Sequence, residues 1–196
     1  NADTHGGSTI TQQLIKNKLL TSEQTYKRKI QEVYLSSQVE GIMEKDEILE
    51  AYLNDVYLGE SSYGMKFAAR DYFGKELHEL TLRECAMLAG MIQKPYYTNP
   101  RSNLYKRSLT DAYKSALDQA HENGYITGAQ YIRSLSGNNR MFLTDQRTNT
   151  VLYAMYTNGI ISKADYDAAM EEVVVIRETP EQQKSANDMA YFVEYA

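Results

Sequence analysis

The chain has 196 residues, about one domain or a little more at roughly 150 residues per domain, so it can bury a sizeable core without a metal or disulfide staple. Hydrophobic residues make up 42%, charged residues 24%, and only 3 residues are Pro, which excludes a disordered tail or a collagen-like fibre; the single cysteine, Cys85, excludes an internal disulfide. A net charge of −5, from 21 basic and 26 acidic residues, would leave nucleic acid to a local basic patch, and no nucleic-acid partner is expected.

No run approaches the roughly 18 apolar residues of a membrane span, and no charged, apolar, small-residue leader opens the chain. Neither a span nor a signal peptide is expected. A first residue Asn1 in place of Met points to a processed product or a piece of a longer protein, with any anchor outside it.

Helix signals dominate, so the expected fold class is mainly α. Thr9 and Gln12 have capping-box spacing ahead of Ile10 and Leu14, and Thr21 and Gln24 repeat it ahead of Tyr26, Ile30, Val33 and Ser37. Asp46 is the expected cap of a third helix carrying Ile48, Leu49, Tyr52, Leu53 and Val56, closed by Gly59. Thr81 and Glu84 open a fourth, whose Leu82, Cys85, Ala86, Leu88 and Ala89 predict a buried core helix ending before Pro95.

Residues 117–131 and 152–166 repeat at an offset of 35, matching Asn123 to Asn158, Gly124 to Gly159, Thr127 to Ser162 and Tyr131 to Tyr166. Each copy reads as a helical hairpin, with Gly in the left-handed position after one helix and Thr or Ser capping the next. The one β signal is Val173 to Ile176, and the polar stretch from Gln182 to Asn187 reads as a linker. Seventeen Tyr with no Trp is a skewed usage. Tyrosine suits half-buried, half-wet positions, whether at a carbohydrate face, a membrane surface or an ordinary helix packing edge.

The densest functional signal is GGSTITQQLIKNKLLTSEQTYKRKIQE at 6–32. Two glycines followed by Ser8, Thr9 and Thr11 put hydroxyls and free N–H groups at a helix N-terminus, a suitable place for an anionic oxygen or a plain loop and cap. Lys16, Lys18, Lys27, Arg28 and Lys29 against Glu23 and Glu32 give a local excess of +3, which suggests a phosphate-bearing ligand. Arg28, Lys29 and Glu32 share a helical face, so Glu32 is either a carboxylate kept ionised for base or metal chemistry or half of a surface salt bridge. Asn54 and Tyr57 are ambiguous. His5, His78 and His121 show no ligand spacing, and no zinc site is expected.

GGSTITQQL-x-KN at 6–17, RK-x-x-E at 28–32, K-x-EILE-x-YLN-x-x-Y-x-G at 45–59 and E-x-A-x-LAG-x-x-Q-x-P at 84–95 resemble four ordered motifs of the peptidoglycan glycosyltransferases, glycosyltransferase family 51. DYDAAMEE and the closing AYFVEYA resemble the stretch that joins this domain to the transpeptidase domain in class A penicillin-binding proteins. The resemblance implies a lysozyme-like helical domain on the outer face of the bacterial cytoplasmic membrane, anchored by a segment not present in this chain. It polymerises lipid II onto the growing glycan strand and releases polyprenyl pyrophosphate. The implied organisation is a glycosyltransferase core at 1–100, helical hairpins at 101–175 with 101–145 as an insertion, and a linker at 176–196 towards a fused transpeptidase domain.

By the same resemblance Glu32 is the glutamate that helps stabilise the departing pyrophosphate, with a divalent metal (Mg or Mn) in some members, and Ser8, Gln12, Gln13, Lys16 and Arg28 line the donor side. Thr9, Lys29 and Asn54 join them as candidate substrate-binding residues. The first family motif, of the form E-D-x-x-F-x-x-H-x-G, has no counterpart in Asn1 to His5, so the usual general-base glutamate is expected to be missing; Gln24 stands where many members have an arginine. The alternative is a non-catalytic module that binds lipid-linked substrate or a cell-wall partner. A glycan-cleaving lysozyme-like enzyme has no need of the basic cluster, and a bare helical scaffold leaves the four motifs to chance.

Overall fold

The computed structural model describes residues 8–19, 25–101, 111–135 and 139–177. Among them the chain is mainly helical: α1 (Ile10–Leu19), α2 (Tyr26–Glu40), α3 (Lys45–Asp55), α4 (Met65–Tyr72), a 3₁₀ turn (Leu77–Glu79), α5 (Leu82–Met91), α6 (Pro95–Thr98), α7 (Asp111–Glu122), α8 (Gly128–Leu135), α9 (Asn139–Thr157) and α10 (Lys163–Glu171). Two compact units divide it, Asn1–Tyr57 with Tyr63–Met65, and Leu58–Ser62 with Lys66–Ala196.

In the first unit α1 packs on α2 and α3. Thr9 caps α1 by accepting from the Gln12 N–H at 3.2 Å, as expected. The core is made by Leu14 and Ile15 of α1 with Ile48 and Tyr52 of α3 and Val56 just beyond it, all buried. Three expectations are corrected here. The cap of α2 is Thr25, which accepts from the Arg28 N–H at 3.1 Å, while Thr21 and Gln24 lie outside the described residues. The stripe of Tyr26, Ile30 and Val33 faces solvent, and α2 buries Glu32 and Ser36 instead. The α3 cap is Glu44, whose N–H donates to the Glu47 carboxylate at 2.8 Å; Asp46 lies inside the first turn, and the helix ends at Asp55, before Gly59.

In the second unit α5 packs chiefly on α9, with α10 and α6 beside them. Thr81 and Glu84 form the expected capping box, and seven of the ten residues of α5 are buried. The pattern differs from expectation, since Cys85 and Ala89 are exposed while Arg83 and Glu84 are buried. The fully buried Arg83 donates to Asp145 at 3.0 Å, Asn149 Oδ1 at 3.0 Å and the Ala169 carbonyl at 3.1 Å. Arg101 binds Asp71 at 2.9 Å and the Arg177 carbonyl at 2.7 Å, and lies over the Tyr72 ring at 4.7 Å.

The 35-residue repeat is a structural repeat. Gly124 and Gly159 both take φ near +70°, and each hairpin closes with a bond from the next N–H, Tyr125 to the Ala120 carbonyl at 2.8 Å and Ile160 to the Met155 carbonyl at 2.9 Å. Thr127 and Ser162 cap the following helices, accepting from Gln130 and Asp165. Leu117 and Leu152 are both fully buried, and even the ring contacts correspond, with His121 stacked on Tyr131 at 4.7 Å and Tyr156 on Tyr166 at 5.2 Å. The β signal is not realised as a strand among the described residues: Val173 to Ile176 has no strand assignment, Val174 alone of the four is buried, and the one isolated bridge among the described residues joins Tyr57 and Tyr63. Gln182 to Asn187 lie outside the described residues.

Candidate functional site

The sequence-predicted residues converge where the start of α1 meets α2. Lys29 and Glu32 sit one turn apart on α2 and form a close ion pair; Glu32 is only 2% exposed, whereas Lys29 reaches solvent. The same ammonium donates to Ser8 Oγ at 3.0 Å and Gln12 Oε1 at 3.3 Å. One cation thus ties together a carboxylate, a hydroxyl and an amide from segments 17 to 21 residues apart. A buried carboxylate is tolerated because it is paired and hydrogen-bonded, and it holds the ammonium in place at the mouth of the site.

Gln13 turns to α3. It accepts from the Tyr52 hydroxyl at 3.1 Å while its amide reaches the Ser8 carbonyl at 3.4 Å. Burial pushes the Tyr52 phenol above its ordinary pKa, so at neutral pH it is a donor that fixes the Gln13 orientation. Tyr52 was not among the residues expected from the sequence as site residues; its place in the YLN motif was the available signal. Arg28 is half-buried, and its Nε is enclosed without a hydrogen-bond partner, a charged donor open to an incoming acceptor.

Other expectations fare differently. Thr9 is occupied as the α1 cap. Lys16 is exposed, one turn along α1 from Gln12. Lys18 pairs with Asp55 at 2.5 Å, which takes one cation out of the supposed phosphate cluster. Asn54 has an exposed side chain near the end of α3, and its backbone is the part under constraint: a Cβ on Gly64 would lie 2.5 Å from the Asn54 carbonyl oxygen. The expectation of a metal on Glu32 meets a poor donor set. Among the described residues no three His, Cys, Asp or Glu side chains gather into a cation site, and the Glu32 carboxylate already holds Lys29, so these residues do not form a cage for Mg or Mn.

The site is therefore a buried, ion-paired glutamate beside a hydroxyl-bearing helix start, with one guanidinium N–H, that of Arg28 Nε, left without a hydrogen-bond partner. The transglycosylase family model matches residues 1–121, and the chain belongs to that family. Penicillin-binding protein 1A of Clostridium botulinum is 44% identical over 133 residues, 66% of this chain and 16% of that protein. The same-named protein of Haemophilus influenzae is 40% identical over 170 residues, 87% and 16% respectively, and that of Escherichia coli K12 is 46% identical over 127 residues, 64% and 15%. The chain therefore spans about a sixth of the length of these relatives. The crystal structure of the Haemophilus influenzae protein aligns with 93% of this chain and 18% of its own, at 26% identity and a TM-score of 0.48.

Proposed function

We propose that this chain is the donor-side part of a peptidoglycan glycosyltransferase, which polymerises lipid II into glycan strands. In the reaction the bond between the anomeric carbon of the growing strand and its pyrophosphate oxygen breaks, the acceptor sugar's 4-hydroxyl forms the new glycosidic bond, and polyprenyl pyrophosphate departs. The developing negative charge sits on phosphate oxygens. Glu32 holds Lys29 where its ammonium can meet that charge, and Arg28 and Lys16 add cationic donors. Ser8, Gln12 and Gln13 supply the neutral contacts that orient the diphosphate, and Asn54 is a further substrate contact on this reading. The acceptor hydroxyl's proton goes to a glutamate of the family's first motif, which these 196 residues do not contain.

The observation that carries this reading is the burial of Glu32 under Lys29, Ser8 and Gln12, an arrangement that a surface salt bridge would not require. Membrane association is supported by α2, which leaves Tyr26 93% and Ile30 71% exposed beside the site. No helix among the described residues is long and apolar enough to cross a membrane. On this reading, which follows the family resemblance, the chain works at the outer face of the cytoplasmic membrane beside a transpeptidase domain, with the lipid II head group and glycan strand as partners.

The test is lipid II polymerisation by this chain and by one extended upstream through the first motif. Turnover in the extended protein should exceed that of the 196-residue chain by about 10²- to 10⁴-fold, the usual worth of a general base, and Glu32→Gln in it should remove most activity. Normal turnover by Glu32→Gln would remove Glu32 from the mechanism; if neither protein turns over lipid II while a phosphoglycolipid still binds, the chain is a non-catalytic module for lipid-linked substrate.

A further inference from the structure

A cleft of about 860 Å³ lies wholly within the second unit, among α5, α6, α9, α10 and the turn after α7. The glycosyl-transfer reading makes no use of it. Four tyrosines line it, Tyr97, Tyr125, Tyr153 and Tyr166, together with the exposed amides of Gln93, Asn123 and Gln146. Among the described residues two cations, Lys94 and Arg147, also line it, and no Asp or Glu does.

We infer that this cleft binds an acidic oligosaccharide. A pyranose ring offers two kinds of surface, flat C–H faces and a rim of hydroxyls that both donate and accept. Tyrosine walls cover the first at little entropic cost, and primary amides, with a donor and an acceptor on one planar group, match the second. An aliphatic ligand would call for an aliphatic lining, yet among the described residues only Leu143 and Met170 supply large aliphatic or thioether groups. Two cations without a carboxylate favour a ligand carrying an isolated negative charge, and the volume lies in the usual range of about 300–1,000 Å³ for ligand sites.

The walls are braced before any ligand arrives. Asn149 donates to the Tyr125 carbonyl at 2.7 Å and accepts from Arg83 at 3.0 Å, so the buried arginine fixes the turn that presents Tyr125. Tyr166 stacks on Tyr156 at 5.2 Å and meets the Tyr153 ring edge-on at 6.5 Å. Gly90 matters through what it lacks: a Cβ there would lie 3.0 Å from Arg147 Cγ, so glycine lets the Arg147 stem rest against α5. The Arg147 Nε is buried without a hydrogen-bond partner, and a carboxylate is the strongest acceptor such a donor can take.

The test is calorimetric titration of the intact chain with two soluble probes, a β-1,4-linked N-acetylglucosamine tetramer and the same backbone bearing a lactyl carboxylate on alternate sugars. Both should bind, the acidic one about tenfold tighter at low salt. Tyr153→Ala should weaken both by about tenfold, and Arg147→Gln should erase the preference for the acidic probe while leaving the neutral one unchanged. Should Arg147→Gln fail to fold, Lys94→Gln, at an exposed position, should narrow the same preference. Absence of saturable binding of either sugar through the millimolar range overturns the inference, as does unchanged affinity in Tyr153→Ala or tighter binding of an acidic tetrapeptide than of either sugar. The readout is direct binding and does not depend on turnover at Glu32.

Discussion

Replacing Asp145 by Asn should unseat the second unit. The pair it forms with Arg83 has both side chains at 0% exposure and 3.0 Å separation, so the substitution leaves a guanidinium buried without its counter-charge. Removing one member of such a pair costs about 3–5 kcal/mol. For a chain of this size each kcal/mol lowers the melting temperature by roughly 2–4 °C, giving a drop of about 6–20 °C in the transition of this unit. Arg83→Met combined with Asp145→Leu removes both charges and should regain at least half of that loss, because apolar replacement of a whole buried pair is often near neutral. Full recovery is not expected, since the Asn149 Oδ1 and Ala169 carbonyl acceptors lose Arg83 as donor, at about 1–3 kcal/mol for a buried group left unsatisfied. Circular dichroism melts of the wild type, Arg83→Met, Asp145→Leu and the double variant form a complete cycle, with Asp145→Asn melted beside them. An Asp145→Asn melt within about 2 °C of wild type, or strictly additive losses in the double variant, would refute the reasoning.

Gly64→Ala should destabilise the first unit by about 1–3 kcal/mol in urea titration, because φ is +79° and the new Cβ would fall 2.5 Å from the Asn54 carbonyl oxygen. Leu117→Ala and Leu152→Ala, both at fully buried and equivalent positions of the repeat, should each cost about 2–5 kcal/mol, and a cost confined to one of them would break the equivalence. Although Cys85 as a residue is exposed, partial desolvation of its thiol, and then the neighbouring Glu84, push it above its ordinary pKa. Its alkylation by iodoacetamide should therefore remain slow at neutral pH and accelerate only above the inflection of a free thiol near about 8.5; an inflection below that value contradicts the assignment.

Much of the framework was legible because its signals are local. The caps at Thr9, Thr81 and Ser162 and the left-handed Gly124 and Gly159 each depend on residues within a few positions, and the motif residues Ser8, Gln12, Gln13, Lys29 and Glu32 did come together. What stayed hidden depends on distant partners. Periodicity shows that α2 has two faces but not which one is covered, and here the burial of the ion-paired Glu32 outweighs that of Ile30 and Val33. Arg83 reads as a surface arginine until Asp145, 62 residues later, is beside it. The Val173 to Ile176 run has β propensity but forms no strand among the described residues, and Glu44 outcompetes Asp46 because its own N–H reaches Glu47. Tyr52 entered the site through a contact 39 residues away.

The doubling of the hairpin has a consequence for how this half of the molecule could change. Asn123 and Tyr125 belong to the bend of the first copy, whereas Tyr153 and Tyr166 belong to helices of the second, so the concavity is a seam that neither copy could form alone. The second copy carries Ile160 where the first has Tyr125, and the two are not interchangeable as walls. An in-frame loss of 35 residues would keep the hairpin grammar of glycine bend, hydroxyl cap and stacked rings while erasing the seam. Folding and ligand recognition can therefore drift apart here, since the first is written twice and the second only once.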